Sequence, residues 1–86
     1  IPKSTLEQYV GLYEFRPDLK MYISREGKQL YGQATGQDRF GLYPENDTLF
    51  YLTVVDATIT FHRKNDATDS LTMFQDGHEM QGRKIK

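Results

Sequence analysis

Apolar and polar residues alternate with a period of two along most of this chain, the pattern of half-buried β-strands. The first residues are the exception. Leu6, Tyr9 and Val10 recur at helical spacing, and Ser4-Thr5-Leu6-Glu7 fits a capping box, a hydroxyl cap with a carboxylate three residues on. A short helix of about one and a half turns is predicted there, ended by Gly11. Beyond it, Gly11–Phe15 sets Tyr13 and Phe15 against Leu12 and Glu14. Leu19–Arg25 sets Leu19, Met21 and Ile23 against Lys20, Tyr22 and Ser24. Glu26-Gly27-Lys28 turns the chain into Gln29–Ala34, which reads as a hairpin.

Further strands are predicted over Phe40–Tyr43, Thr48–Val55, Ala57–Arg63, Ser70–Gln75 and His78–Ile85. Polar turns at Thr35–Asp38, Pro44–Asp47, Asp56, Lys64–Asp69 and Asp76-Gly77 separate them. Eight short strands at near-regular spacing predict an all-β fold, and loops this short favour antiparallel up-and-down pairing. Closing the sheet into a barrel removes its exposed edges. The inward set is Tyr13, Phe15, Met21, Ile23, Leu30, Phe40, Leu42, Phe50, Leu52, Ile59, Phe61, Leu71, Met73 and Met80. Eight strands enclose a space that side chains just fill or that holds one small ligand. This bulky lining predicts a filled interior, with the Leu6/Tyr9/Val10 face plugging one end.

Length and charge narrow the function. At 86 residues the chain is one domain, and chains of this size bury only about 60% of their unfolded surface. A net charge of −1, with 11 basic and 12 acidic residues spread along the chain, offers no basic stripe for nucleic acid. The chain has no cysteine, which excludes disulfides, thiolate metal sites and thiol catalysis. No apolar run approaches the roughly 20 residues of a membrane-spanning helix, and no segment reads as a signal peptide. A start at Ile1-Pro2 predicts a domain excised or processed from a longer protein, with any export signal outside this stretch.

Catalytic patterns are absent. None of Ser4, Ser24 and Ser70 begins Ser-x-x-Lys or sits in Gly-x-Ser-x-Gly. His62 and His78 fall in adjacent strand regions, so proximity is open, with Glu79 or Asp56 as further oxygen ligands; solvated surface histidines are the expectation. Asp66 with Asp69, and Glu45 with Asp47, sit in turns where acids solvate well. Asn65-Asp66 with Asp69 is too sparse a run of oxygens for a calcium loop. The glycines open no helix and make no phosphate loop. No cofactor and no metal site is expected.

Tyr22, Tyr31, Tyr43 and Tyr51 take the parity opposite to the aliphatic set on their strands, as does Phe74 if Leu71 and Met73 point inward. Large outward aromatics suit a contact surface, because tyrosine brings area at low entropy cost; packing against neighbouring polar stems is the alternative.

Leu6-Glu7-Gln8-Tyr9-Val10-Gly11-Leu12-Tyr13-Glu14 resembles the opening of a bacterial domain family that lies C-terminal to β-lactamase-like serine hydrolases and peptidases. The similarity continues through Leu30–Gln37, Phe40–Glu45, Phe50, Val55-Asp56-Ala57 with Ile59 and Phe61, Phe74–Gly77, and Arg83-Lys84-Ile85. The chain departs from the family at Asn65–Asp69, where a turn glycine is usual, so a longer or looser loop is expected. The resemblance implies a small eight-stranded antiparallel lipocalin-like barrel. It implies a non-catalytic accessory domain partnered by the catalytic domain of the same polypeptide, and a bacterial periplasmic or extracellular setting. Tyr22, Tyr31, Tyr43 and Tyr51 are then the candidate docking face. The alternative is a binder of a small apolar ligand, lined by Tyr13, Phe15, Phe40, Phe50 and Phe61. A free-standing enzyme is the least supported reading.

Overall fold

The computed structural model describes residues 1–65 and 67–86. A short helix, α1 (Lys3–Glu7), precedes eight strands: β1 (Gly11–Arg16), β2 (Leu19–Glu26), β3 (Gln29–Ala34), β4 (Phe40–Pro44), β5 (Leu49–Tyr51), β6 (Ala57–Lys64), β7 (Ala67–Gln75) and β8 (His78–Lys84). They form a closed antiparallel barrel in chain order, with β8 returning to β1.

Turn chemistry sets the hairpins. Asp76 and Gly77 both adopt positive φ, 53° and 77°, between the paired residues Gln75 and His78. Two consecutive positive-φ residues give the turn whose twist matches the strands it joins. The β4–β5 turn is held by Asn46, whose Oδ1 accepts from the backbone N–H of Thr48 and Leu49, each at 2.9 Å.

The inward set is largely buried as its alternation predicts, with Phe15, Phe40 and Met80 only partly covered. The core is aromatic near the helix. Tyr9 stacks on Phe61 with centroids 4.3 Å apart and planes 8° from parallel. Phe50 meets both edge-on, at 5.9 Å and 5.6 Å. The Tyr9 hydroxyl donates to the Asp47 carbonyl (2.6 Å), and the Tyr13 hydroxyl donates to the Tyr9 carbonyl (2.7 Å). Arg25 pairs with Glu7 at 2.8 Å, and the Lys84 ammonium donates to the Gln8 carbonyl (3.1 Å). Leu6 and Tyr9 thus plug the end of the barrel where β1 begins and β8 finishes, while Val10 stays half-exposed.

Three expectations are corrected. The capping box does not form: the helix starts one residue before Ser4, with Pro2 in the cap position and no side-chain cap bond. Pro2 has no side-chain oxygen to cap the first turn, and its carbonyl instead accepts from the N–H groups of Thr5 (3.1 Å) and Leu6 (3.2 Å). The strand expected over Thr48–Val55 is cut to Leu49–Tyr51. Leu52 leaves the ladder, its N–H bonding the Ala57 carbonyl (3.0 Å), and residues 53–56 form an exposed loop. Closure of a hairpin outweighs β-propensity in Val54 and Val55. Where a longer or looser loop is expected over Asn65–Asp69, the β6–β7 ladder instead runs on to the pair Lys64–Ala67. Asn65 takes φ 55°, the left-handed conformation a glycine would supply. Asp66 lies outside the described residues, and with it the Asp66/Asp69 pair and the Asn65-Asp66 reading.

Two outcomes follow. Phe61→Ala removes the ring that contacts Tyr9, Tyr13 and Phe50 and should cost about 3–5 kcal/mol in urea unfolding, a large share of the roughly 5–15 kcal/mol typical of a domain. The second concerns alkali. Burial raises the pKa of Tyr9 and Tyr13 above the free value of 10. Above pH 10 the unfolded chain sheds protons that the folded chain keeps. This contribution to stability is therefore intact below about pH 10 and is lost above it, by about 1.4 kcal/mol per pH unit for Tyr13, with Tyr9 acting in the same direction. Urea titrations between pH 8 and 11 (on the order of a dozen points) should show this fall, flattened in Tyr13→Phe.

Candidate functional site

The barrel has two unlike ends. Helix α1 fills the one bounded by the β2–β3, β4–β5 and β6–β7 turns. The other, bounded by the β1–β2, β3–β4, β5–β6 and β7–β8 connections, is open. There a hollow of about 280 Å³ is lined by Phe15, Met21, Phe40, Leu52, Met73 and Met80, with Val54 and Val55 at its lip. A larger hollow of about 570 Å³ lies outside the wall, beside the seam of β1 and β8. It is an open surface depression among Glu14, Arg16, Ser70 and Arg83, formed because these strands pair only at Tyr13–Lys84 and Glu14–Arg83 before parting.

The mouth has a specific construction. β1 bulges between Glu14 and Arg16, and a bulge re-aims the residue it carries, here Phe15. The Phe15 ring lies over Gly82 of β8, where a Cβ would stand 3.1 Å from it. Phe40 lies over its partner Gly32, where a Cβ would stand 2.8 Å from the ring. Each phenylalanine is thus laid against the wall by a missing side chain, which leaves the centre of the mouth free.

Of the five residues expected to line a ligand space, only Phe15 and Phe40 reach this mouth. Tyr13, Phe50 and Phe61 are locked in the aromatic core beneath the helix and line none of it. Period-two alternation says which wall a side chain faces but not at what height in the barrel it sits. The register gives the height, and it adds Met21, Leu52, Met73 and Met80. The interior is therefore filled at the helix end and hollow at the other.

The four tyrosines face outward. Tyr22 is 50% exposed and Tyr51 37%, while Tyr31 and Tyr43 are half-buried. Tyr43 and Tyr51 are directly paired, with ring centroids 5.7 Å apart. The Tyr43 phenol folds back over Gly41, the partner of Tyr31, and Tyr22 is diagonal to Tyr31 across the β2–β3 ladder. Diagonal partners lie about 7–8 Å apart. The Arg39 guanidinium sits 3.9 Å above the Tyr31 ring and pairs with Glu26, which raises its pKa. The register continues the row from Tyr51 through Thr58 to Phe74, which is 47% exposed. An aromatic row therefore crosses the outer wall from β2 to β5, and Phe74 on β7 stands beyond it across Thr58.

The histidines do not meet. His62 pairs with Ser70 and His78 with Gln75, five residues further along β7, so about 17 Å of ladder separates them. Among the described residues no three His, Asp or Glu side chains are grouped to hold a metal ion. His62 Nε2 lies 2.7 Å from the Thr72 hydroxyl on the exposed wall, and the Ser70 hydroxyl donates to Asp69 (3.1 Å) rather than to a base. No described helix is long and apolar enough to cross a membrane.

The chain is 28% identical over 86 residues to "Penicillin-binding protein 4*" of Bacillus subtilis (strain 168), a match that covers 100% of this chain and 19% of the relative. The chain thus spans about a fifth of the length of the curated relative, and it matches that protein's C-terminal part. No solved structure matches the chain. A family described as Domain of unknown function (DUF3471) matches residues 1–84, nearly the whole barrel and its plug, and the chain belongs to that family.

Proposed function

We propose that the chain is a non-catalytic accessory domain that docks, through Tyr22, Tyr31, Tyr43 and Tyr51, on a β-lactamase-like serine hydrolase unit of the same polypeptide. The observation that carries this is the outward row of tyrosines on β2 to β5: Tyr43 and Tyr51 pair ring to ring, Tyr22 and Tyr51 are exposed, and all four face away from the core. The similarity to a penicillin-binding protein about five times longer supplies the kind of neighbour. In this reading residues 1–86 form one lipocalin-like domain, a kinship that rests on strand number and up-and-down order. The setting is the bacterial envelope or exterior, as for a penicillin-binding relative.

Magnitudes suit a modest interface. A tyrosine covers about 150–250 Å² when fully buried, and these four are at most half exposed, so on this side of a contact they can still cover at most about 300–500 Å², with a comparable area from the partner. Interfaces between domains of one chain run about 600–1,500 Å². A contact of that size orients two domains without fusing their cores. The hydrolytic chemistry belongs to the neighbour, since Ser70 and His62 are engaged with Asp69 and Thr72 on an exposed wall.

The first test is the coding sequence beside the chain, which must carry a Ser-x-x-Lys catalytic domain. The second uses that polypeptide. Tyr22→Ser with Tyr51→Ser, the two most exposed of the four, should speed amide exchange across β2–β5 and loosen docking by about 10- to 100-fold, the effect of losing one or two strong interface residues. The melting temperature of the barrel should stay within about 5 °C, because neither ring is in the core. Unchanged exchange in the double variant rejects the tyrosine face.

A further inference from the structure

We propose that the open end of the barrel is a binding site for a small, uncharged apolar molecule, or the alkyl or aromatic part of one, seated among Met21, Met73, Met80, Phe15, Phe40 and Leu52. The inference does not depend on the docking reading, which uses the outer wall.

The hollow is a built feature. Two glycines lay Phe15 and Phe40 flat against the wall, a bulge aims Phe15, and β5 stops early so that Leu52 turns in while the chain swings clear. A side chain in place of either glycine hydrogen would push a ring into the opening. The chain's three methionines all line this one space. Methionine is unbranched and polarizable, and it adapts to ligands of varied shape.

Charge and volume define the class. Among the described residues the lining carries no charged side chain, and its polar side chains are the carboxamides of Gln37 and Gln75. A charged group carried inside would lose its hydration with no partner, whereas a neutral hydroxyl or amide can remain beside the carboxamides. The volume of about 280 Å³ is nearly twice that of an engineered apolar cavity, about 150 Å³, that takes up benzene. It also lies just below the roughly 300–1,000 Å³ usual for ligand pockets. One short chain or one or two rings fit, and a two-chain lipid does not. Val54, at 68% exposure, and Val55, at 43%, stand at the lip and would cover the part of the ligand that projects.

The test uses the 86-residue chain and straight-chain alkanols from butanol to decanol, followed by NMR of the methionine methyl groups. Because every methionine lines the mouth, the whole methyl spectrum reports on this site. The expected result is saturable shifts of all three methyls. Affinity should rise about fourfold for each added methylene, the ratio for burying one CH₂, until the mouth is full, and then level off. Ala34→Phe, which places a ring in the same space, should abolish the shifts, and Met80→Phe, at a half-buried position, is a second blocking variant should the first not fold. Tyr22→Ser with Tyr51→Ser should leave the titration unchanged, which separates this site from the docking face. Absent shifts, or shifts without dependence on chain length, overturn the proposal. So do methyl resonances that move with protein concentration alone, the sign of a second copy in the mouth. A response to phosphatidylcholine vesicles but not to alkanols also overturns it, because the end would then be a membrane contact.

Discussion

The stack of Tyr9 on Phe61 is the contact on which the rest of the structure depends. A barrel of eight short strands has two rims and too little interior to seal both. Tyr9 comes from outside the sheet and enters at one rim, filling the space between Phe50 and Phe61. Its hydroxyl bonds the β4–β5 turn, and its carbonyl accepts from Tyr13 on β1, so both ends of its residue are satisfied while the ring is fully buried. A buried phenol without those partners would be costly. The helix needs no cap of its own to stay in place, because Leu6 and Tyr9 hold it by burial and Arg25 and Lys84 tie it from the strands. Sealing one rim by a separate segment frees the other from that duty, and the opposite end is where the hollow lies.

Much of the fold was readable because a period of two admits few alternatives. Once Tyr13, Ile23, Leu42, Ile59 and Leu71 are placed inward, every neighbour on those strands is placed outward, and a slip by one residue would expose the whole set. The outward direction of Tyr22 and Tyr51 follows from the same rule. Alternation failed where strand length depends on closure rather than propensity. Thr53, Val54 and Val55 are good strand residues, yet the chain must turn there to present Ala57 beside Leu52. At Asn65 the absence of glycine pointed to a loose loop, but asparagine reaches positive φ at modest cost and the ladder runs on to the pair Lys64–Ala67.

The site was less readable, for a geometric reason. Direction and height are separate coordinates in a barrel, and only direction leaves a mark in the local pattern. Phe15 and Phe61 have the same parity on their strands, yet one stands at the open end and the other beneath the helix. Height follows from which residues pair across strands, and pairing depends on turns that are distant in sequence. The glycines carried a usable signal. Gly32 interrupts the inward row of Leu30 and Ala34, Gly82 follows inward Met80 on β8, and glycine inside a strand marks a bulge or a close approach. Here the approach is by an aromatic ring in each case, and both rings belong to the mouth.

The same device appears on the outer wall. Gly41 gives Tyr43 room to fold down over the sheet, which brings its ring toward Tyr51 and leaves the row low and broad. Rings lying along a wall offer their faces, whereas rings standing out would offer edges and would each lose more freedom on contact. A partner meeting this wall finds apolar area already arranged by the strands beneath it, with Arg39 fixed over Tyr31 as the adjacent charge. Pre-arranged surface of that kind lowers the entropy that association must overcome. One fold thus uses glycine to flatten aromatics on both sides of its sheet, and the two surfaces so formed are separate: the inner one bounds a small hollow, the outer one is exposed over three successive ladders. The outer surface shares no side chain with the Tyr9 plug, whereas the inner one joins it through Met21, Leu52 and Met73, which belong to the same buried core as Tyr9.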